Sequence, residues 1–270
     1  MSTLAVDVVD AYLDRIRLGE RRATITPDVA TLTELMQAHL RSVPFENLDV
    51  FHQRPVRTDL EWSVPKVVER RRGGWCFELN GAFGALLETL GFDVRLLGAA
   101  VLLGGPNSTI DHLCLEVMID EPWLVDVGFG DTFIRPLALN DGAEQDGGNG
   151  HYQFIASPIG TTLARLVDGV PTAHYRFKRV AHQLVDFDHA SAALASDPGG
   201  SFRKGPVVTR LLDVSGARVT LSSDRLEVRD VDGSERTSIQ IPPDQWLPTL
   251  FRASQTTRAT TLSQVNTPTC

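Results

Sequence analysis

One ten-residue run has the residue types for covalent chemistry: Arg71-Arg72-Gly73-Gly74-Trp75-Cys76-Phe77-Glu78-Leu79-Asn80. The two glycines let the backbone turn sharply. Cys76 follows where the spacing of Leu79, Phe83, Leu86, Leu87 and Leu90 predicts the first turn of a helix that stops at Gly91. Backbone N–H groups without intrahelical partners and the positive end of the dipole gather at such a position. Both favour a thiolate, the reactive form of a cysteine nucleophile. Arg71 and Arg72 add positive potential. The competing reading is a buried cysteine that only packs, and for a lone cysteine it is the commoner one.

A nucleophilic cysteine needs a base, and the base needs an orienting group. His112 opens the run Asp111-His112-Leu113-Cys114-Leu115-Glu116-Val117, and Asp126 lies in Trp123-Leu124-Val125-Asp126-Val127-Gly128-Phe129-Gly130. Both runs read as strands, and Asp120-Glu121-Pro122 between them is short enough for a hairpin. His112 shares a strand face with Cys114, Glu116 and Met118, opposite Leu113, Leu115, Val117 and Ile119. An acid inside a segment as apolar as that around Asp126 is costly unless paired. Taken singly, His112 reads as a surface or core histidine and Asp126 as an acid near a turn. Spacing does not bring the two together, because the strand register cannot be derived from it.

The elements around these residues fall into two regimes. Helices are expected up to about residue 91. Val9, Tyr12, Leu13 and Ile16 fall at helical spacing with Gly19 as a stop, and Thr31 and Glu34 form a T-x-x-E capping box before Leu32, Leu35, Met36 and Leu40, with Pro44 as the break. A third helix is expected through Pro65–Arg71, ended by Gly73-Gly74, before the one at Cys76. Short strands then follow at 94–101, 112–119, 123–127, 152–156, 162–167 and 175–180, and again at 207–212, 218–221 and 225–231. Their density suggests an antiparallel barrel or sandwich. Residues 140–150 and 196–200 read as loops, 243–252 as a last helix, and 256–270 as a frayed tail.

Composition narrows the class. A 270-residue chain with 42% hydrophobic and 22% charged residues can build a sizeable core. Acids outnumber bases by 34 to 26, for a net charge of -8, which argues against a nucleic-acid partner. Cys76, Cys114 and Cys270 match neither a disulfide framework nor a zinc pattern, so a reducing cytoplasm and no metal are expected. No basic start followed by an apolar run marks a signal peptide, and no stretch is long enough to span a bilayer.

The blocks RRGGWCFELN, the His112 strand and Asp126-Val127-Gly128-Phe129-Gly130 together resemble the arylamine N-acetyltransferase family. Tyr12-Leu13-Asp14-Arg15-Ile16 is similar to the family's opening helix, and Val43-Pro44-Phe45-Glu46-Asn47-Leu48-Asp49 to its second motif. The resemblance covers residues 10 to 137 and thins beyond. It implies an α+β fold in three parts: a helical bundle over 1–91, an antiparallel β-barrel over 92–195, and an α/β lid over 196–270. It also implies a Cys76–His112–Asp126 triad. The thiolate of Cys76 would take an acetyl group from acetyl-CoA and pass it, in a ping-pong cycle, to an arylamine or hydrazine. Backbone N–H groups near Cys76 would stabilise the oxyanion.

Other roles are implied residue by residue. Phe45, Phe129 and Phe202 match aromatic positions of the acceptor pocket, with core packing as the plain alternative for the first two. Gly130 matches a glycine near the cofactor's diphosphate. Arg72 matches the arginine before the glycines, in a structural ion pair. Two residues depart from the family pattern: Asp111, where Ser or Thr is usual beside the histidine, and Asp197 in Ser196-Asp197-Pro198. Asp111 falls where coenzyme A phosphates are expected, so acetyl-CoA would be a weakened donor. That leaves an amide synthase of the same superfamily as the alternative, closing a carrier-protein-bound polyketide onto an aryl amine. A non-catalytic thioester-binding member and a cysteine protease or transglutaminase-like enzyme are the rivals from other classes. The complete triad speaks against the first and the helical N-terminal motifs against the second.

Overall fold

In the computed structural model, the described residues are 3–222, 224–231, 234–242 and 245. Cys270, the tail from 256, and the helix expected over 243–252 (save residue 245) lie outside them.

Five helices form the first part: α1 Val6–Arg15, α2 Val29–Ser42, α3 Leu48–Phe51, α4 Leu60–Val68 and α5 Cys76–Thr89. Three boundaries differ from expectation, each for a local reason. α1 ends before Gly19, because Arg17 takes a left-handed conformation (φ 68) and Leu18 N donates to Leu13 O. Gly19 is needed instead for a close approach, since a Cβ there would lie 1.9 Å from Asp14 Oδ1. α2 begins earlier than Thr31. Asp28 is its N-cap and accepts from Thr31 N at 2.7 Å, while Glu34 pairs with Arg21. α4 begins at Leu60 behind the Asp59 cap, so Pro65 sits inside it rather than at its start, and it ends at Val68. α5 runs as expected to its stop, where Gly91 has φ 95 and Phe92 N donates to Leu87 O. Every residue of α5 from Cys76 to Leu87 is buried. It is the central helix, packed against α4 on one side and the barrel on the other.

β1 Phe45–Glu46 lies between α2 and α3, and the barrel strands follow α5: β2 Asp93–Val101, β3 His112–Met118, β4 Pro122–Val125, β5 Leu137–Ala138, β6 Gln145–Asp146, β7 His151–Ser157, β8 Gly160–Val167 and β9 Val170–His182. These eight pair antiparallel in the order β5-β4-β3-β2-β9-β8-β7-β6. The edge strands β5 and β6 are tied by a side chain rather than a ladder. Gln145 accepts from Ala138 N at 2.7 Å and donates to Ala138 O at 3.0 Å, which nearly closes the barrel. The loop expected over 140–150 thus contains the short strand β6.

Two helices that the sequence pattern did not show, α6 Asp188–Ser196 and α7 Ser201–Lys204, lead into β10 Val207–Leu211, β11 Arg218–Ser222, β12 Arg225–Arg229 and β13 Glu235–Gln240. The resulting sheet has the order β1-β10-β11-β12-β13, so a two-residue strand from the helical region forms its edge, with Phe45 opposite Thr209 and Glu46 opposite Val208. Among the described residues, no helix is long and apolar enough to cross a membrane.

The helical core includes one titratable pair. His39 is fully buried, holds Tyr12 Oη at 3.0 Å through Nε2, and packs on Phe83 with ring centroids 4.9 Å apart. Burial, helped by the Arg15 charge, pushes His39 down to about 3. The unfolded chain therefore takes up this proton first, near pH 6.5. The stability gained by keeping His39 neutral is present above that pH and is lost as pH falls toward 3, with a slope of at most about 1.4 kcal/mol per pH unit. His39→Gln, which keeps a polar partner for Tyr12, should flatten the fall in urea midpoint between pH 6.5 and pH 4 relative to the native chain.

Candidate active site

Cys76 is the first residue of α5, and what precedes it is held tightly. Phe45 and Gly74 form an isolated parallel bridge, and Glu46 N donates to Gly74 O at 2.8 Å. A Cβ on Gly73 would stand 2.0 Å from Pro44 O, so no side chain fits there. Beneath the turn lies a buried ionic network. Lys66, 2% exposed, reaches Asp49 at 2.7 Å and both carboxylate oxygens of Glu78 at 2.8 Å. Glu78 also accepts from Trp62 Nε1 at 2.6 Å and from Trp75 N at 3.2 Å, the residue before Cys76. Arg72 completes the network against Glu46 at 2.6 Å and Asp49 at 3.4 Å. Burial alone would lower the Lys66 ammonium, but Glu78, Glu46 and Asp49 outweigh it and raise it.

His112 and Asp126 meet across the β3–β4 hairpin, with His112 Nε2 2.7 Å from Asp126 Oδ2. Leu115 pairs with Val125, which leaves Asp126 just beyond the ladder, beside His112 rather than opposite it. Asp126 is fully buried, and its Oδ1 accepts from Gly128 N at 2.9 Å and Asn80 Nδ2 at 2.9 Å. Burial would lower His112, but the Asp126 charge and hydrogen bond, and then contact with Cys76, push it up to about 10. The imidazole is thus hydrogen-bonded to Asp126 and also interacts with Cys76. Since Nε2 is on Asp126, Nδ1 is the nitrogen left for the sulfur. The arrangement can take a proton from the thiol and hold it beside the anion. Burial, and then the charge of Asp126, push the Cys114 thiol well above the ordinary thiol range.

A cleft of about 310 Å³ opens alongside. Phe45, Phe129 and Gly130 line it together with Arg165, Arg218, Arg229 and the acids Asp131 and Asp230. Phe129 also packs edge-on to His112, with centroids 5.2 Å apart. Phe202 is not among the residues lining the cleft. It packs against Phe45 at 6.3 Å and Trp75 at 5.8 Å. Asp111 is not in the cleft either. Its carboxylate accepts from Val101 N at 2.8 Å and Asn107 Nδ2 at 2.6 Å, within its own loop. Asp197 is exposed and accepts from Gly199 N at 2.9 Å. Neither acid is among the residues lining the cleft with Gly130. Among the described residues, no group of three or more His, Cys, Asp or Glu could hold a metal ion.

Sequence reasoning passed over several residues the site uses. Asn80 follows Cys76 by four positions, the helical spacing that places both on one face. Tyr175 is fully buried with its ring 5.1 Å from His112. Gly128 touches the nucleophile directly, since a Cβ there would lie 2.7 Å from Cys76 Cα.

Comparison with known proteins adds three findings. Residues 28–254 match a protein-family model described as N-acetyltransferase. The chain is 36% identical over 242 residues, 86% of each chain, to an arylamine N-acetyltransferase of Mycolicibacterium smegmatis, and 31% identical over 220 residues, 80% of this chain and 77% of the other, to one of Escherichia coli. Its fold is similar to the solved arylamine N-acetyltransferase of Salmonella typhimurium (TM-score 0.84, 30% identity, 93% and 90% of the two chains) and to that of Mycobacterium marinum in complex with CoA (TM-score 0.80, 30% identity, 91% and 93%). The amide-synthase alternative and its carrier-protein partner find no support in these relatives, whose names all describe arylamine acetyl transfer.

The ionic network under Cys76 makes a direct prediction. Lys66→Met leaves Asp49 and Glu78 without their shared ammonium in a buried site, and should destabilise the fold by about 3–5 kcal/mol in urea titration. Adding Glu78→Gln removes one stranded charge and should recover part of that loss.

Proposed function

The chain belongs to the arylamine N-acetyltransferase family, and from that premise we propose that Cys76, His112 and Asp126 carry its acetyl transfer from acetyl-CoA to an arylamine or hydrazine. The observation that supports these roles best is His112, bonded to Asp126 through Nε2 and interacting with Cys76 at the start of α5.

His112 takes the Cys76 proton, and Asp126 fixes the imidazole tautomer and stabilises the imidazolium. The Cys76 thiolate attacks the thioester carbonyl, and N–H groups of the first turn of α5 offer donors for the oxyanion. The coenzyme thiol departs with a proton from His112, leaving acetyl-Cys76. The amine then attacks the acetyl-enzyme, His112 removes its proton, and Cys76 is restored.

The cleft suits the donor. Arg165, Arg218 and Arg229 outnumber the lining acids Asp131 and Asp230, with Arg218 paired to Asp131 at 3.4 Å and Arg229 to Glu227 at 3.1 Å, and leave an excess of positive charge on the wall for phosphates. Gly130, at φ 95, takes a left-handed conformation that other residues rarely adopt, beside Thr209 and Phe45 on the cleft wall. Phe129, between cleft and imidazole, is our choice for the wall that receives the amine's ring, with Phe45 beside it and Phe202 supporting Phe45 from behind. Arg72 acts by holding Glu46 and Asp49, and Asp111 by closing its own loop. We also propose the domain division 1–91, 92–195 and 196–270, and a cytoplasmic location, supported by two buried free cysteines among the described residues.

Intact mass spectrometry after mixing with acetyl-CoA should show one acetyl group on the native chain and none on Cys76→Ala, and adding an arylamine should discharge it. An equal adduct on Cys76→Ala, or none on the native chain, would sink the assignment. His112 should hold its proton through the neutral range, so iodoacetamide alkylation of Cys76 should show its upper inflection near pH 10, and His112→Gln should abolish that inflection.

A further inference from the structure

Asn80 is fully buried, and its amide touches each element that bears the catalytic groups. It sits one turn after Cys76 on the same helix. Nδ2 donates to Leu113 O at 2.6 Å, the peptide next to His112, and to Asp126 Oδ1 at 2.9 Å. Oδ1 accepts from Val127 N at 2.9 Å. The orientation of the amide follows from its partners, because a carbonyl and a carboxylate can only accept and a peptide N–H can only donate. Gly128 packs against it so closely that a Cβ would lie 2.7 Å from Nδ2.

We propose that Asn80 is a positioning residue for the Cys76–His112–Asp126 triad, clamping helix, strand and acid loop into one register through a single side chain. The inference rests on the triad roles proposed above. Asp126 Oδ1 has two donors, Asn80 and Gly128 N, while Oδ2 faces His112. Without Asn80, Oδ1 keeps one donor and the carboxylate is freer to turn about its broad terminal torsion, taking His112 with it. Leu113 O and Val127 N, which fix the backbones of His112 and Asp126, lose a partner in the same stroke. An aliphatic side chain could meet none of these groups, and an ionised aspartate could serve only Val127 N while repelling Asp126.

The test uses the full chain and iodoacetamide, which reports on the Cys76–His112 pair without thioester or amine. Failure of acetyl transfer would overturn the function proposed above and leave this readout intact. In Asn80→Ala, with fold checked by circular dichroism, alkylation near neutral pH should fall by about 10²-fold, the scale of a 1 Å misplacement, and the acid limb of its pH profile should move up. Asn80→Asp is nearly isosteric and decides the matter if the alanine variant does not fold. Burial beside Asp126 raises the introduced carboxyl, which donates to Asp126 while protonated and repels it once ionised. Its alkylation rate relative to the native chain should therefore decline as pH rises. A folded Asn80→Ala with a native pH profile and a rate within about twofold, or an Asn80→Asp ratio independent of pH, would overturn the proposal.

Discussion

A carboxylate with no exposure to solvent has to be held by protein donors or not at all, and Asp126 is such a group. Three donors reach it: His112 Nε2 from β3, Asn80 Nδ2 from α5, and Gly128 N from its own loop. None can move far without leaving the charge short of a partner, which in a buried setting costs several times what an ordinary hydrogen bond contributes. The acid therefore locks the barrel to the central helix, and Cys76 lies at that contact. Geometry that serves proton transfer and geometry that satisfies a buried anion are the same geometry here.

The other side of Cys76 is fixed by different means. Lys66, Glu78, Asp49, Arg72 and Glu46 bind α4, α5, α3, β1 and the Gly73-Gly74 turn into one charged cluster. Replacing buried ions by apolar side chains is commonly neutral or stabilising, so net stability explains such a cluster poorly. A fixed seat for the nucleophile explains it better, because Glu78 reaches the backbone of Trp75 while Glu46 N holds Gly74 O. The same β1 residues form the edge of the C-terminal sheet, and Phe45 sits both there and on the cleft wall. The helical part and the C-terminal sheet thus converge on the turn before Cys76, while the barrel meets the same helix one turn later at Asn80.

What could be read from residues alone was what is local. Glycine pairs, helical spacing and strand alternation placed Cys76 at a helix start and found most barrel strands, because those signals sit within a few residues of the structure they specify. Caps were less legible. Thr31-x-x-Glu34 satisfies a capping pattern, yet Asp28 takes the role, and Pro65 resembles a first-turn proline although Asp59 caps that helix six residues earlier. α6 has an Ala- and Ser-rich sequence whose only buried residue is Ser191, so it carries almost no apolar stripe to detect. β1 is two residues long, and its ladder partners lie more than 160 positions away. His112 and Asp126 were visible as residue types, but their meeting depends on a register that ends the ladder at Val125 and on a donor from α5, neither of which any local pattern contains.

The two acids that depart from the family pattern show how residue type and local field come apart. The chain carries a net charge of -8, yet three arginines against two aspartates line the cleft beside Gly130. Net charge acts through many screened, distant groups, whereas a bound phosphate responds mainly to charges within a Debye length, about 8 Å at physiological salt. Asp111 would count against such a ligand if its carboxylate projected freely. Instead it takes two hydrogen bonds from its own loop, and burial pushes it up against the pull of Val101 N, His112 and Asn107, which favours the neutral form. Asp197 likewise faces the backbone of its own turn. A carboxylate that completes a loop is pinned in direction and partly neutralised by its donors, so a change of residue type in the motif need not change the potential that a donor's phosphates would meet in the cleft.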